Sequence, residues 1–279
     1  MLLLYVILVD ILVTFFGVYL FDYHVDNAIN QPLVIIASIL VGFIGAFVAA
    51  ILYLELSYYL IAYKRPYTGR LKHILGKGIT AFPLHLLNVR MKLEGEENLP
   101  KDPGFLIYAN HTSELDISII MNILPKYPVA FLAKQDVLNY LSIGKWSVSL
   151  GCVMLDRDNN RQGSTAAKEV TERVQNGSTM VVFPEGTIKR DVNTLLKFRS
   201  GAFRIALESG VPLVPVTIKK ADDYNDHMWP YPRRFTVIIH KPLPYDDFKD
   251  MKTKALSNHI RDIFKKELGY EDPIEDKST

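Results

Sequence analysis

His111 and Asp116 lie five residues apart in Asn110-His-Thr-Ser-Glu-Leu-Asp116. An imidazole can take a proton from an alcohol near neutral pH, since its ordinary pKa is about 6.5. It needs a partner that fixes which ring nitrogen carries the proton, and a nearby carboxylate does this while stabilising the imidazolium that forms. No serine or cysteine is placed to complete an ordinary triad, so the hydroxyl that such a base would activate belongs to a substrate. Further along, Phe183-Pro-Glu-Gly-Thr187 ends a β-rich run. There a glycine lets the backbone approach a ligand, while a threonine and free N–H groups can receive phosphate.

Basic residues supply anion-binding candidates. Arg157 closes the block Gly151-Cys-Val-Met-Leu-Asp-Arg157, and an arginine fork can donate two hydrogen bonds to one phosphate. Its other reading is an ion pair with Asp156 or Asp158. Lys189, Arg190, Arg199 and Lys134 are further candidates; for Lys134 a plain solvated lysine is as good a reading.

Four blocks occur in order between about residues 100 and 220: the His-x4-Asp pair, the block ending at Arg157, Phe183–Thr187, and Val211-Pro-Leu-Val-Pro-Val216. Together they resemble the glycerolipid acyltransferases. The resemblance implies that His111 is the general base on the hydroxyl of lysophosphatidate and that Asp116 orients it. It also implies that Arg157, Gly186 and Thr187 bind phosphate and that Glu185 meets a glycerol hydroxyl. The acyl donor would be a thioester, acyl-CoA or acyl carrier protein, the product phosphatidate for phospholipid synthesis, and no acyl-enzyme forms. The sequence departs from the family pattern at Ile188, where an arginine usually follows the threonine; Lys189 or Arg190 would then take the phosphate contact, and Arg199 in Lys197-Phe-Arg-Ser-Gly201 matches another basic position of the family motif as a second phosphate candidate. A different lysolipid or an amine-linked acceptor remains open as substrate, as does a non-enzymatic lipid-binding protein, which the intact His111–Asp116 pair disfavours.

The elements that position these residues follow from the hydrophobic pattern. From about Pro100, short β-rich runs (105–109, 129–133, 153–155, 180–183, 213–218, 235–240) alternate with helical stretches (137–149, 164–174, 202–208), and a last amphipathic helix covers 246–268. This alternation predicts an α/β fold, a largely parallel mixed sheet flanked by helices, over residues 100–279. His111 directly follows a strand, and strand C-termini line the crevice in such sheets.

The chain before it differs. Residues 1–21 are apolar except for Asp10, and residues 33–54 carry no charge. Each is long enough to cross a hydrocarbon core of about 30 Å, so residues 1–63 read as a transmembrane helical hairpin. Gly42, Ala46 and Ala50 offer a small face for packing, and Asp10 is expected to face the neighbouring helix. A signal peptide is disfavoured by the missing basic n-region and cleavage site. Lys64, Arg65, Arg70, Lys72 and Lys77 follow the second span, so the positive-inside rule places the catalytic domain on the cytoplasmic face. Residues 64–99 read as a basic amphipathic segment lying on anionic headgroups, its helix interrupted by Pro83; the other reading is a solvated domain edge whose apolar face packs on the protein core. Net charge +2 excludes a dedicated nucleic-acid binder, and the single cysteine, Cys152, excludes an internal disulfide and a Cys-rich zinc site. The chemistry requires no metal and no bound cofactor.

Overall fold

The structure, a computed structural model, describes residues 2–22, 31–67, 69–124, 127–156, 160–188, 195–221 and 231–270. The chain forms two compact units, Met1–Arg65 and Pro66–Thr279.

The first unit is a pair of helices, α1 (Leu2–Asp22) and α2 (Gln31–Ser57), the second running on through a π-helical turn at Tyr58–Ala62. Gly17 lies against Ser38, Val13 against Gly45, and Tyr5 stacks near Tyr53, so the two run antiparallel. Glycine is required where they come closest: a Cβ on Gly42 would meet Thr14 Oγ1 and sit 2.6 Å from Asp10 Oδ1. Asp10 thus faces the neighbouring helix, as expected. Large apolar side chains such as Phe15, Phe16, Ile44, Phe47 and Leu52 point outward. Ile35–Ala62 is long and apolar enough to cross a membrane, with a mean hydropathy of 2.8 over its most apolar stretch, whereas the apolar run Leu4–Tyr19 is shorter than a usual span.

The second unit is built on a seven-stranded sheet. Its strands are β1 (Val89–Glu94), β2 (Leu106–Ala109), β3 (Val129–Lys134), β4 (Val153–Leu155), β5 (Thr179–Val182), β6 (Leu213–Lys220) and β7 (Arg233–Ile239). The spatial order is β1-β7-β6-β2-β5-β3-β4, and every pairing is parallel except β6 with β7. The helices are α3 (Arg70–Leu86), α4 (Leu115–Ile123), α5 (Ile143–Ser149), α6 (Asn160–Gln175), α7 (Ser200–Ser209), α8 (Tyr245–Phe248) and α9 (Thr253–Leu268). The central strands β2 and β5 are buried along their whole length, as continuous apolar runs flanked by helices should be. Leu106, Ile107, Met180, Val181, Phe203, Ile260 and Phe264 make the core between layers.

Three local expectations change. Residues 70–94 belong to the compact unit: α3 is one continuous helix and is followed by the edge strand β1, paired in parallel with β7. Pro83 lies in the last turn of α3, where its missing N–H costs a single intrahelical bond, and Leu87 N–H closes onto the Pro83 carbonyl at 3.0 Å. Gly76 lets α3 approach the core, since a Cβ there would sit 2.8 Å from Leu150 Cδ1 and 2.9 Å from Met121 Cε. Lys72 and Lys77 of this helix turn inward, Nζ of Lys77 donating to the Leu124 carbonyl at 2.8 Å, while Leu71, Ile74 and Leu86 stay exposed. The helix expected over 137–149 splits into a 3-10 turn, Gln135–Asn139, and α5, because the backbone of Leu138 crosses Gly144 too closely for any side chain. The last helix likewise divides into α8 and α9.

Candidate active site

The site begins at the C-terminal end of β2. Asn110 is fully buried; its side-chain amide donates to the Ile218 carbonyl at 2.9 Å and its side-chain oxygen accepts the Ile218 N–H at 2.7 Å. This two-point clamp fastens the end of β2 to β6 and fixes where the next residue emerges. That residue is His111. Its ring stacks on Phe183 at 4.1 Å between centroids and 17° between planes, and Phe183 in turn stacks on Phe131.

Asp116 sits in the first turn of α4, with no exposure to solvent. One oxygen, Oδ2, accepts three hydrogen bonds: from His111 Nδ1 at 2.9 Å, Thr112 N–H at 2.7 Å and Ser113 N–H at 2.8 Å. The Ser113 hydroxyl accepts the Leu115 N–H at 3.2 Å, and Asp116 N–H closes onto the Ser113 carbonyl at 3.1 Å. The sequence therefore folds back on itself over six residues so that the carboxylate reaches the ring. An acceptor-only carboxylate on Nδ1 requires the proton there, which leaves the lone pair on Nε2. His111 lines a cavity of about 1750 Å³.

The Phe183–Thr187 block approaches from β5. Glu185 is buried, and its two oxygens accept the N–H groups of His111 at 2.8 Å and of Leu196 at 3.0 Å. Burial pushes its carboxyl above the usual range, and these two N–H groups oppose the shift. Glu185 thus braces the backbone of the histidine against the segment leading to Arg199. Gly186 adopts φ +70°, and a Cβ there would lie 2.6 Å from Arg199 Nε. Glycine is needed on both counts. Arg199 accordingly lies across the Gly186 backbone, and its own N–H donates to the Pro184 carbonyl at 2.9 Å.

Gly186, Thr187, Arg199 and Lys134 all line the cavity with His111, as do the apolar Ile117, Leu132, Leu155 and Phe183. Lys134 is exposed and ion-paired with Asp136. Arg157, Lys189 and Arg190 lie outside the described residues; Asp156 and Ile188, which precede them, line the cavity. Cys152 is buried, and its thiol is pushed up to about 11 by that burial. Two contributors went unread in the sequence, Asn110 as a clamp and Phe183 as a stacking platform. Both are adjacent to residues that were read, but their partners come from β6 and from His111, which no local pattern reveals.

The acyltransferase family model matches residues 90–219. The 1-acyl-sn-glycerol-3-phosphate acyltransferase alpha of Ovis aries is 29% identical over 183 residues, 63% of this chain and 62% of that one. The 1-acyl-sn-glycerol-3-phosphate acyltransferase of Saccharomyces cerevisiae is 30% identical over 199 residues, 68% of this chain and 65% of that one. The alignments thus span less than two thirds of these relatives' own lengths. The crystal structure of a 1-acyl-sn-glycerophosphate acyltransferase from Thermotoga maritima superposes with a TM-score of 0.57 at 22% identity, over 96% of this chain and 93% of that one, a likeness of fold. Four ordered blocks, a parallel sheet that brings the first three to one cavity, and these relatives agree: the chain carries an acyltransferase domain over residues 90–219, similar to that of the 1-acyl-sn-glycerol-3-phosphate acyltransferases.

Proposed function

We propose that this protein moves a fatty acyl group from a thioester, acyl-CoA or acyl carrier protein, to the sn-2 hydroxyl of lysophosphatidate, giving phosphatidate. The observation that carries the reading is the His111–Asp116 geometry: Nδ1 held by a buried carboxylate and Nε2 left as a base on the cavity wall. His111 Nε2 takes the hydroxyl proton as the oxygen attacks the thioester carbonyl. The C–O bond forms, the tetrahedral intermediate collapses, and the C–S bond breaks. The proton on the imidazolium passes to the departing sulfur, so His111 ends neutral and no acyl-enzyme is formed. Asp116 steadies the imidazolium while it exists.

Arg199, lying on Gly186 beside Thr187, takes the phosphate position that Ile188 vacates; Arg157, Lys189 and Arg190 stay as further phosphate candidates on the family resemblance. Because Ile188 itself lines the cavity, another lysolipid headgroup is the second reading. The apolar helix Ile35–Ala62 fits a membrane span. Tyr58, Tyr59 and Tyr63 cluster at its end, next to Lys64 and Arg65. An aromatic girdle followed by cations suits a cytoplasmic interface, and this supports an integral membrane enzyme with its catalytic domain in the cytoplasm.

The test is acyl transfer to lysophosphatidate by detergent-purified protein, wild type beside His111→Ala, with both thioester donors. Phosphatidate from the wild type, reduced by about 10²- to 10⁴-fold in the variant, is the expected result. Equal rates from the two proteins would remove His111 as the base. Product from neither, with other lysolipids accepted by the wild type, would favour the second reading.

A further inference from the structure

The sheet ends in three strands whose outer side chains are cationic. Register partners share a face, as do alternate residues along a strand. Arg90 of β1 pairs with Arg234 of β7, and Lys92 pairs with Thr236, which pairs in turn with Lys219 of β6. Four cations therefore occupy two neighbouring rows of one face. Arg90, Lys92 and Arg234 are exposed, and Lys219 is half-buried. The three strands hold one acid, Glu94, which lies in the next row and pairs with Lys92 at 2.7 Å. Like charges directly opposite one another do not favour strand pairing; Arg90 lies opposite Arg234 and donates from Nε to Asn88 Oδ1 at 3.3 Å. Parallel sheets are ordinarily covered on both faces. Among the described residues, Arg90, Lys92 and Arg234 of these outer rows stay exposed, with Thr236 and Ile238 partly so.

Next along the same strands, Lys220 and Arg233 turn to the opposite side and line the cavity that holds His111. Two further cations thus stand at the strand ends on the site's side of the sheet. Resting on the acyl-transfer reading above, we propose that this face docks a small acidic protein that carries the acyl group as a thioester, its arm entering past Lys220 and Arg233. Charge complementarity fits such a carrier. A bilayer surface fits less well, because membrane-docking faces present large apolar side chains beside their cations. Here the intervening side chains, Thr236 and Ile238, are only partly exposed.

The experiment compares wild type with the Arg90→Glu/Arg234→Glu double variant, using fatty acyl-loaded acyl carrier protein and acyl-CoA as alternative donors and one acceptor in one detergent. Thermal melting checks that the variant is folded, and Arg90→Gln/Lys92→Gln serves as a milder second variant. The expected result is a rise of about tenfold or more in KM for the carrier-borne donor, with acyl-CoA kinetics within about twofold. Turnover with the carrier donor should also fall with added salt in the wild type and much less in the variant. An unchanged KM for the carrier, an equal rise for both donors, or a wild type that uses acyl-CoA alone would each overturn the proposal. So would loss of binding to anionic phospholipid vesicles with carrier kinetics intact, which would assign the face to the membrane. Product from neither donor would remove the acyl-transfer reading and this proposal with it.

Discussion

Two buried carboxylates meet the same histidine and are bonded in opposite ways. Asp116 gathers three N–H groups onto one oxygen, one of them from the imidazole, and its Oδ1 makes no hydrogen bond among the described residues. Glu185 gives one oxygen to the histidine's backbone and the other to Leu196 eleven residues further along the chain. The first is built from a single local turn and acts on the ring's proton. The second joins two segments separated in sequence and acts on where the ring stands. Proximity to a histidine therefore does not by itself tell an orienting carboxylate from a bracing one; the atom it bonds does.

Neutralising each carboxylate separates the two roles. Asp116→Asn should be the more damaging. Its side-chain oxygen can still accept from the Thr112 and Ser113 N–H groups, but its NH₂ cannot hold the protonated Nδ1, and the imidazolium loses its counter-charge. We expect kcat to fall on the order of 10²- to 10³-fold with KM for lysophosphatidate within about twofold. Steady-state kinetics over both substrates check this. A fall carried mainly by KM would mean that Asp116 serves binding, and the contrast with Glu185 would collapse.

Glu185→Gln tests the other half. A glutamine offers one oxygen to two backbone donors, so one N–H loses its acceptor, at a cost of about 1.5–3 kcal/mol for a bond to a charged group. Expressed in the transition state, that is roughly a 10- to 100-fold loss of kcat. KM for lysophosphatidate should hold, and Glu185→Asp should not restore the rate, since the shorter chain cannot reach both Leu196 and His111. A KM that rises while kcat holds would return Glu185 to the role implied by family resemblance, contact with the acceptor's hydroxyl.

The same contrast explains what was legible in the sequence. The His111–Asp116 bond spans five residues and needs only a turn at a strand end, so it is legible once the other three blocks single out that pair among chance His-x4-Asp spacings. Strand runs such as 105–109 and 180–183 are readable because central parallel strands are short and continuously apolar. Glu185's partners depend on a loop closing, and Asn110's on β6 lying next to β2; neither is encoded within one window of residues. Strand β1 was unreadable for a related reason. Val89-Arg-Met-Lys-Leu-Glu94 alternates like a surface strand, but its basic flanks and the preceding amphipathic helix suggested a membrane surface. Only its pairing with β7, more than a hundred residues away, makes it the sheet's edge. Gly144 and Gly76 likewise carry no local sign of the backbone and side chains that press on them.

The smallest expected effect lies away from both carboxylates, on α3. His73 is buried, with Nε2 2.7 Å from the Tyr67 carbonyl and Nδ1 without a hydrogen bond among the described residues. Burial is the main cause holding its pKa below the ordinary value of 6.5, and Lys72 and Lys77 add to the lowering. The Tyr67 carbonyl requires the proton on Nε2, so the ring is seated neutral. In the unfolded chain it takes a proton below about pH 6.5; in the folded chain it does so only at lower pH. The unfolded state then binds more protons, so this contribution to stability is whole above pH 6.5 and is lost as pH falls through the folded value. His73→Gln can still donate to Tyr67 and does not titrate. Its melting temperature should fall less between pH 7 and pH 5 than the wild type's. His240, whose pKa burial also lowers, is unchanged in the variant and keeps part of the slope. Identical slopes for the two proteins would show that α3 admits the charged ring without cost, and His240 would then be left as the buried histidine that carries acid sensitivity.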